Sequence, residues 1–327
     1  MIRTAIVGAG LMGRWHADAA VRSGGRVVAV VDLRPERARA LAAATGVAPA
    51  ASSLAEVDLA EVDVVHVCTP TPTHAELARS ILMAGCPALV EKPLAADAAE
   101  TEGLLKLAEE RGRLLCPVHQ YVFQHGVARV AGGLDRLGTI RHVEVTICSA
   151  GAEGLAGEGR DGIAGEILSH PLSLLARLFD WPLEDLPWHV MRPAAGEIRA
   201  VACAGGGTIE IFVSMSARPA RSTLAILGEA GSAHADLFHG YAFFERGGAS
   251  RGRKLARPFS LAGRTLLMGG SNLARRAARR EPAFPGLREL VGRCYTAVRG
   301  SALPGPIPPG ETLAVARARD TILRPPG

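Results

Sequence analysis

The sequence predicts an α/β protein: an N-terminal Rossmann domain with a doubly wound parallel sheet, then an α+β domain with an open, mainly antiparallel sheet. Three observations carry this. Apolar runs alternate with alanine-rich stretches of helical period through the first 118 residues. A GxGxxG pattern joins the first apolar run to the first helical stretch. After residue 119 the rhythm changes to closely spaced, alternating strand-like runs. With 327 residues, 48% of them hydrophobic, the chain can bury two cores.

In order, the apolar runs 4–8, 26–32, 62–68, 87–91 and 114–118 read as parallel strands, since strands covered on both faces stay apolar throughout. The spacing of Thr73 with Glu76, and of Asp97 with Glu100, predicts helix starts by the capping box. Residues 1–119 form the expected dinucleotide-binding domain. Residues 120–327 form the expected substrate-binding and oligomerisation domain, whose last helix can pack back on the first. There, 140–147 predicts a strand and 166–180 a helix. Strands follow at 188–191, 198–203, 208–216, 221–227, 233–238 and 241–245, with the glycines 205–207 as a hairpin turn. The stretch 246–264 reads as a Gly/Arg-rich loop, followed by two helices to about 298 and a last one over 311–323.

Several function classes are excluded as expectations. No long uncharged apolar run is present and residue 4 already enters a strand, so neither a membrane span nor a signal sequence is predicted, and the cytoplasm is the expected compartment. Cys68, Cys86, Cys116, Cys148, Cys203 and Cys294 form no CxxC pair and read as small buried hydrophobes, so no metal site is expected. The arginines of 251–280 lack interleaved aromatics and read as a solvated surface, so neither nucleic acid nor membrane is an expected partner.

VGAGLMG places Gly8, Gly10 and Gly13 between a strand and a helix, with Asp32 closing the next strand. Gly8 permits the tight turn, Gly10 the approach of a pyrophosphate to the helix N-terminus, and Gly13 close packing of helix on strand. Asp32 suits the ribose hydroxyls and repels a 2′-phosphate. NAD is therefore the expected cofactor and NADP, with Arg34 and Arg37 near, the less favoured one. In CTPTPTH, Pro70 and Pro72 stiffen the chain as it leaves the strand's carboxyl end, the edge where ligands lie in such sheets. Only three lysines stand against 34 arginines, and Lys92 ends a strand at that same edge, in ALVEKPLA. A compact ammonium aimed into the cofactor crevice explains why lysine is kept there.

Taken together, VGAGLMG with His16, VVD, TPTPTHAEL, EKPLA, VHQYVFQHG (118–126), GEILSHPLSLL (165–175) and LGEAGS (227–232) resemble the Gfo/Idh/MocA oxidoreductases. The resemblance implies cofactor contacts from Gly8, Ala9, Gly10, Leu11, Met12, Gly13, Asp32, Leu33, Arg34, Thr69, Pro70, Thr71, His74, Glu91 and Lys92. It implies a reacting site of Lys92, His170 and Glu166, the last standing where the family has aspartate. Glu166 and His170, four apart, fall on one face of a helix, and the imidazole can exchange a substrate hydroxyl proton near neutral pH. His119 and Tyr121 are candidate substrate contacts. Val122 replaces an arginine common in the family, and His125 a proline.

The expected function is an NAD-dependent oxidoreductase passing a hydride between nicotinamide and a secondary alcohol or ketone carbon of a sugar, cyclitol or aminosugar-like substrate. Reduction of a C=N or C=C bond is the second reading, and a non-catalytic NAD-binding regulator the third. A homodimer or homotetramer through the C-terminal sheet is expected, because that sheet would show an apolar face.

Overall fold

The computed structural model describes residues 1–46, 50–248, 250–300 and 305–324. Its contacts divide the chain into two units: Met1–Gln120 with Leu287–Arg317, and Tyr121–Gly286 with the chain from Ala318 onward. The sequence-drawn boundary at 119 lies next to the first of these breaks. The stretch 287–317, which the sequence placed in the second domain, groups with the first unit instead.

The first unit holds six strands, β1 (Ile2–Val7), β2 (Gly25–Val31), β3 (Ala50–Ala51), β4 (Val64–Val67), β5 (Ala88–Val90) and β6 (Leu115–Pro117). All neighbours pair in parallel, in the order β3-β2-β1-β4-β5-β6. The helices are α1 (Leu11–Arg22), α2 (Pro35–Thr45), α3 (His74–Met83) and α4 (Ala98–Glu110). Every residue of β4 and β5 is buried, as covering on both faces requires. Asp97 caps α4 as expected, accepting from the Glu100 amide at 2.8 Å, while the Glu100 carboxylate accepts from Ala96 N–H. Thr73 does not cap α3. Its hydroxyl bonds Thr69 Oγ1 and Pro70 O inside a short 3₁₀ turn, because Pro70 and Pro72 bend the chain back before the helix begins.

The second unit begins with α5 (His125–Ala131), β7 (Ile140–Cys148), α6 (Gly157–Ile167) and α7 (Ser169–Leu178). Then follow β8 (His189–Met191), β9 (Glu197–Ala204), β10 (Gly207–Ser214), β11 (Arg221–Gly228), β12 (Gly231–Asp236) and β13 (Tyr241–Arg246). The sheet order is β13-β12-β11-β7-β10-β9-β8, antiparallel except where β7 and β10 run parallel. Gly205 and Gly206 both take positive φ, +58° and +78°, as a tight hairpin between β9 and β10 demands. Val143, Val145, Ile209, Ile211, Leu224 and Ile226 face the covered side, where α5 packs on β12 and β13 and α6 on β9 and β10.

Two expectations are corrected here. The opposite sheet face is mixed, not apolar: Phe212, Val201 and Phe243 share it with the Arg199–Glu210 ion pair and with Glu144, Thr146 and His234. The stretch read as a loop to 264 is helical from residue 251, in α8 (Arg251–Arg279). Its glycines and Pro258 mimic a loop, yet its apolar residues keep a helical spacing. The chain then forms α9 (Leu287–Gly300), which packs on α1, and α10 (Pro309–Leu323).

Candidate active site

The carboxyl ends of β1, β2, β4 and β5 carry the singled-out residues of the first unit, and the order reverses between β1 and β4, the usual ligand position in such sheets. Gly8 has φ +96°, and a Cβ there would lie 2.7 Å from the Cys68 carbonyl group, so only glycine fits. A Cβ at Gly10, by contrast, would meet nothing within 4 Å. Gly10 is the N-cap of α1, so the first free amides of that helix adjoin open space.

A cleft of about 1210 Å³ lies along this edge, lined among others by Gly8, Gly10, Leu11, Met12, Asp32, Leu33, Arg34, Thr69 and Pro70. Arg37, Thr73 and the segment 52–55 line it too; of these the sequence offered Arg37 near the ribose site and Thr73 as a helix cap, not as a cleft residue. Asp32 accepts from Ala9 N–H and Arg34 N–H, each at 2.8 Å. Its carboxylate therefore pins the glycine loop and retains lone pairs for a hydroxyl in the cleft. An acid at the second strand's end, a glycine whose missing side chain leaves space, and a helix N-terminus fit a dinucleotide.

Ala9, Gly13, Thr71, His74, Glu91 and Lys92 are not among the cleft's lining residues. His74 is buried, with Nε2 2.8 Å from Thr69 O and Nδ1 2.8 Å from Pro93 O. It ties the loop after β4 to the loop after β5 instead of facing a ligand. Gly13 packs against the Gly8 carbonyl, where any side chain would collide.

Lys92 follows β5, one strand over from β4. Its ammonium makes no hydrogen bond or ion pair among the described residues, while its backbone N–H donates to Glu91 Oε2 at 3.1 Å. Glu91 heads a buried polar chain that the sequence did not disclose. His16 Nε2 lies 3.1 Å from Glu91 Oε1, His16 Nδ1 3.0 Å from His66 Nδ1, His66 Nε2 3.3 Å from Tyr295 OH, and Tyr295 OH 2.6 Å from Thr4 Oγ1. Burial would raise the Glu91 pKa, but the hydrogen bond and charge of His16 and the charge of Lys92 outweigh it and hold the carboxyl below its ordinary range. Burial, reinforced by His16, holds His66 well below the ordinary histidine range, so it is neutral.

In the second unit, the Tyr121 and His170 rings stack at 4.2 Å between centroids with 11° between planes. Burial raises the Tyr121 pKa, partly offset by its bond to Ser222. His170 is 7% exposed. The single helix expected over 166–180 is two: Glu166 lies in α6, which ends at Ile167, and His170 lies in α7, which starts at Ser169. Leu168 between them keeps helical angles, so the four-residue spacing spans a junction. Val122, in place of an arginine, is buried in the second unit, and His119, also buried, lies just after β6 in the first. No group of three or more His, Cys, Asp or Glu among the described residues is arranged to hold a metal.

A doubly wound parallel sheet with this glycine turn and strand-end acid defines a dinucleotide-binding domain. Residues 2–119 match the GFO_IDH_MocA family model, described as an oxidoreductase family with an NAD-binding Rossmann fold. The match lies within the first unit and covers its glycine turn, Asp32 and the Glu91–Lys92 strand end. The chain is similar to the myo-inositol dehydrogenase Hyg17 of Streptomyces leeuwenhoekii, 38% identical over 144 residues, which are 42% of this chain and 44% of that protein. It is also similar to UDP-N-acetylglucosamine 3-dehydrogenase of Acidithiobacillus ferrooxidans, 36% identical over 137 residues, 38% of this chain and 42% of that one. These matches therefore span less than half the length of the curated relatives. The solved structure of the WlbA dehydrogenase from Bordetella pertussis, in complex with NADH and UDP-GlcNAcA, shares the fold with a TM-score of 0.72 at 22% identity, covering 100% of this chain and 98% of that one.

Proposed function

We propose that the protein is an NAD-dependent oxidoreductase acting on a secondary alcohol or ketone carbon of a sugar, cyclitol or aminosugar-like substrate. The observation that carries this reading is Lys92: a rare lysine at the ligand edge of the sheet, its ammonium without a hydrogen bond or ion pair among the described residues, its backbone N–H bonded to a buried Glu91 that His16 holds ionised. When bound, NAD supplies the hydride acceptor or, reduced, the donor. Gly8, Gly10 and the first amides of α1 would hold its pyrophosphate, and Asp32 the adenosine ribose.

Within this reading, Lys92 polarises the substrate oxygen and His170 takes or returns its proton. Tyr121, stacked on the imidazole, fixes the plane of the ring. Glu166 orients His170 or binds a substrate hydroxyl across the α6–α7 junction. Relatives named for inositol and for UDP-N-acetylglucosamine favour a polyol-bearing substrate. The mixed outer face of the second unit's sheet is assigned to self-association into a dimer or tetramer, which a monomeric mass by light scattering would contradict. The function is tested by following reduced-nicotinamide absorbance with NAD and a panel of inositols and nucleotide sugars. Turnover of at least one of them is expected, and absence of turnover across the panel despite NAD binding would favour a regulator.

A further inference from the structure

The stretch that carries Glu166 and His170 contains a helix break, and its cause is local. Pro171 has no N–H to give Ile167 O, four residues back, and in a continuous helix its ring would clash with that carbonyl. Helix α6 accordingly stops at Ile167 and α7 starts at Ser169. The backbone N–H groups that cap α6 donate to Ala164 O and Glu166 O. Gly165 O, between them, accepts from Arg319 Nε at 3.2 Å, a donor brought by α10 from 154 positions along the chain.

Arg319 is 8% exposed, and a charged side chain is buried to that degree only where its charge and donors are used. Its cation meets the carboxyl end of α6, the negative end of that helix. The last turn of α10 is seated firmly enough to hold it there. A Cβ on Gly165 would come within 3.2 Å of Leu323 Cδ1, tighter than ordinary van der Waals contact, so α10 lies close against α6. Arg192 Nη2 caps the end of the same turn, donating to Ile322 O at 3.1 Å and to Leu323 O at 2.9 Å. Glu166 follows Gly165 directly, and His170 is the second residue of α7. The carbonyl that Arg319 holds is therefore one peptide bond from the acid, on the α6 side of the break that sets where the imidazole stands.

We infer that Arg319 is a positioning residue: held on the Gly165 carbonyl, it fixes the α6–α7 junction and so the placing of His170 relative to Glu166, given the roles proposed above for those two side chains. A misplacement of about 1 Å can cost ~100-fold in rate. Arg319→Met keeps the length of the side chain and loses every donor, and should lower kcat at least about 10-fold on whichever panel substrate the unmodified protein turns over. Arg319→Lys retains a cationic donor and should recover most of that loss. In a His170→Ala background the Met substitution should change kcat less than about 2-fold, because its effect passes through the imidazole. A structural role alone would lower the active fraction alike in both backgrounds. NAD affinity by calorimetry, assigned to the first unit, should be the same in every variant. Arg192→Met, at an exposed position, frees the last turn of α10 with Arg319 intact and should lower kcat at least about 2-fold, again only where His170 is present; it decides the matter alone if circular dichroism shows Arg319→Met to be unfolded. Equal losses in both backgrounds overturn the inference, as does Arg319→Lys no better than Arg319→Met, or unchanged kcat in the folded variants beside an impaired His170→Ala. Normal turnover by His170→Ala would instead overturn the role of the imidazole on which it rests.

Discussion

Replacing Tyr295 by phenylalanine removes one oxygen from a site with no access to water. That oxygen holds Thr4 Oγ1 at 2.6 Å and His66 Nε2 at 3.3 Å, and all three residues are 0% exposed. Neither partner can turn to solvent when the phenol is gone. A buried polar group left unpaired costs about 1–3 kcal/mol. The longer bond is the weaker, so a loss of about 2–4 kcal/mol is expected from the two together. The ring itself stays, still filling the space beside Gly25, where a Cβ would come within 2.7 Å of Tyr295 Cε2. No large cavity term is therefore added. Trp15 is the tryptophan of the first unit, and Trp181 and Trp188 belong to the second. Urea unfolding followed by fluorescence in a Trp181→Phe/Trp188→Phe background reports the unit concerned. Thr4→Val with Tyr295→Phe should cost less than the sum of the two single changes, since both break one bond. A loss below about 0.5 kcal/mol for Tyr295→Phe, within the range of an ordinary surface substitution, would refute the buried chain as drawn.

Three further outcomes follow from the same geometry. Lys92→Arg and His170→Ala should each lower kcat by at least about 100-fold, the range for a positioned proton-transfer or polarising group, with NAD affinity by calorimetry little changed; near-normal turnover by Lys92→Arg would remove the role given to its ammonium. The unmodified protein should bind NAD(H) more tightly than NADP(H), and Asp32→Ala should narrow that preference while loosening the glycine loop that its carboxylate pins through Ala9; tighter NADP(H) binding by the unmodified chain would contradict it. The buried neutral His66 sets an acid limb of stability: its folded pKa lies well below the ordinary 6.5, so the unfolded chain binds the extra proton. The stability is complete above that value and is lost as pH falls towards the folded pKa, with a slope approaching ~1.4 kcal/mol per pH unit. Urea midpoints at neutral and mildly acidic pH should show a limb that His66→Gln flattens, and an unchanged limb in that variant would place its origin elsewhere.

What was legible in the sequence is what local pattern controls. The seven strands of the second sheet follow from alternation and from turn glycines at 205 and 206, and the glycine loop with Asp32 follows from their spacing along strand, turn and helix. Two-residue β3 is too short to leave a pattern. Helix α8 was hidden by glycines and Pro258, which resemble loop chemistry to a window that ignores the recurrence of Leu255, Phe259, Leu266 and Leu273. At Thr73, the two prolines upstream overrode a capping signal that Asp97, without such neighbours, obeys. The buried chain could not be read at all, because Tyr295 lies 229 positions from His66 and nothing local distinguishes either from a packed aromatic residue. His16 alone had a signal, its place shortly after the glycines.

The return of 287–317 to the first unit bears on how the protein is made. A ribosome releases the segments of the glycine cleft first, yet their unit must wait for Tyr295 to cover Gly25 and to supply the phenol that Thr4 and His66 require. By then the seven strands of the second unit have all emerged and can pair. The core of the unit that begins the chain is therefore completed by a segment that follows every strand of the second unit, and Thr4, His66 and α1 have their Tyr295 and α9 contacts only once that segment has emerged.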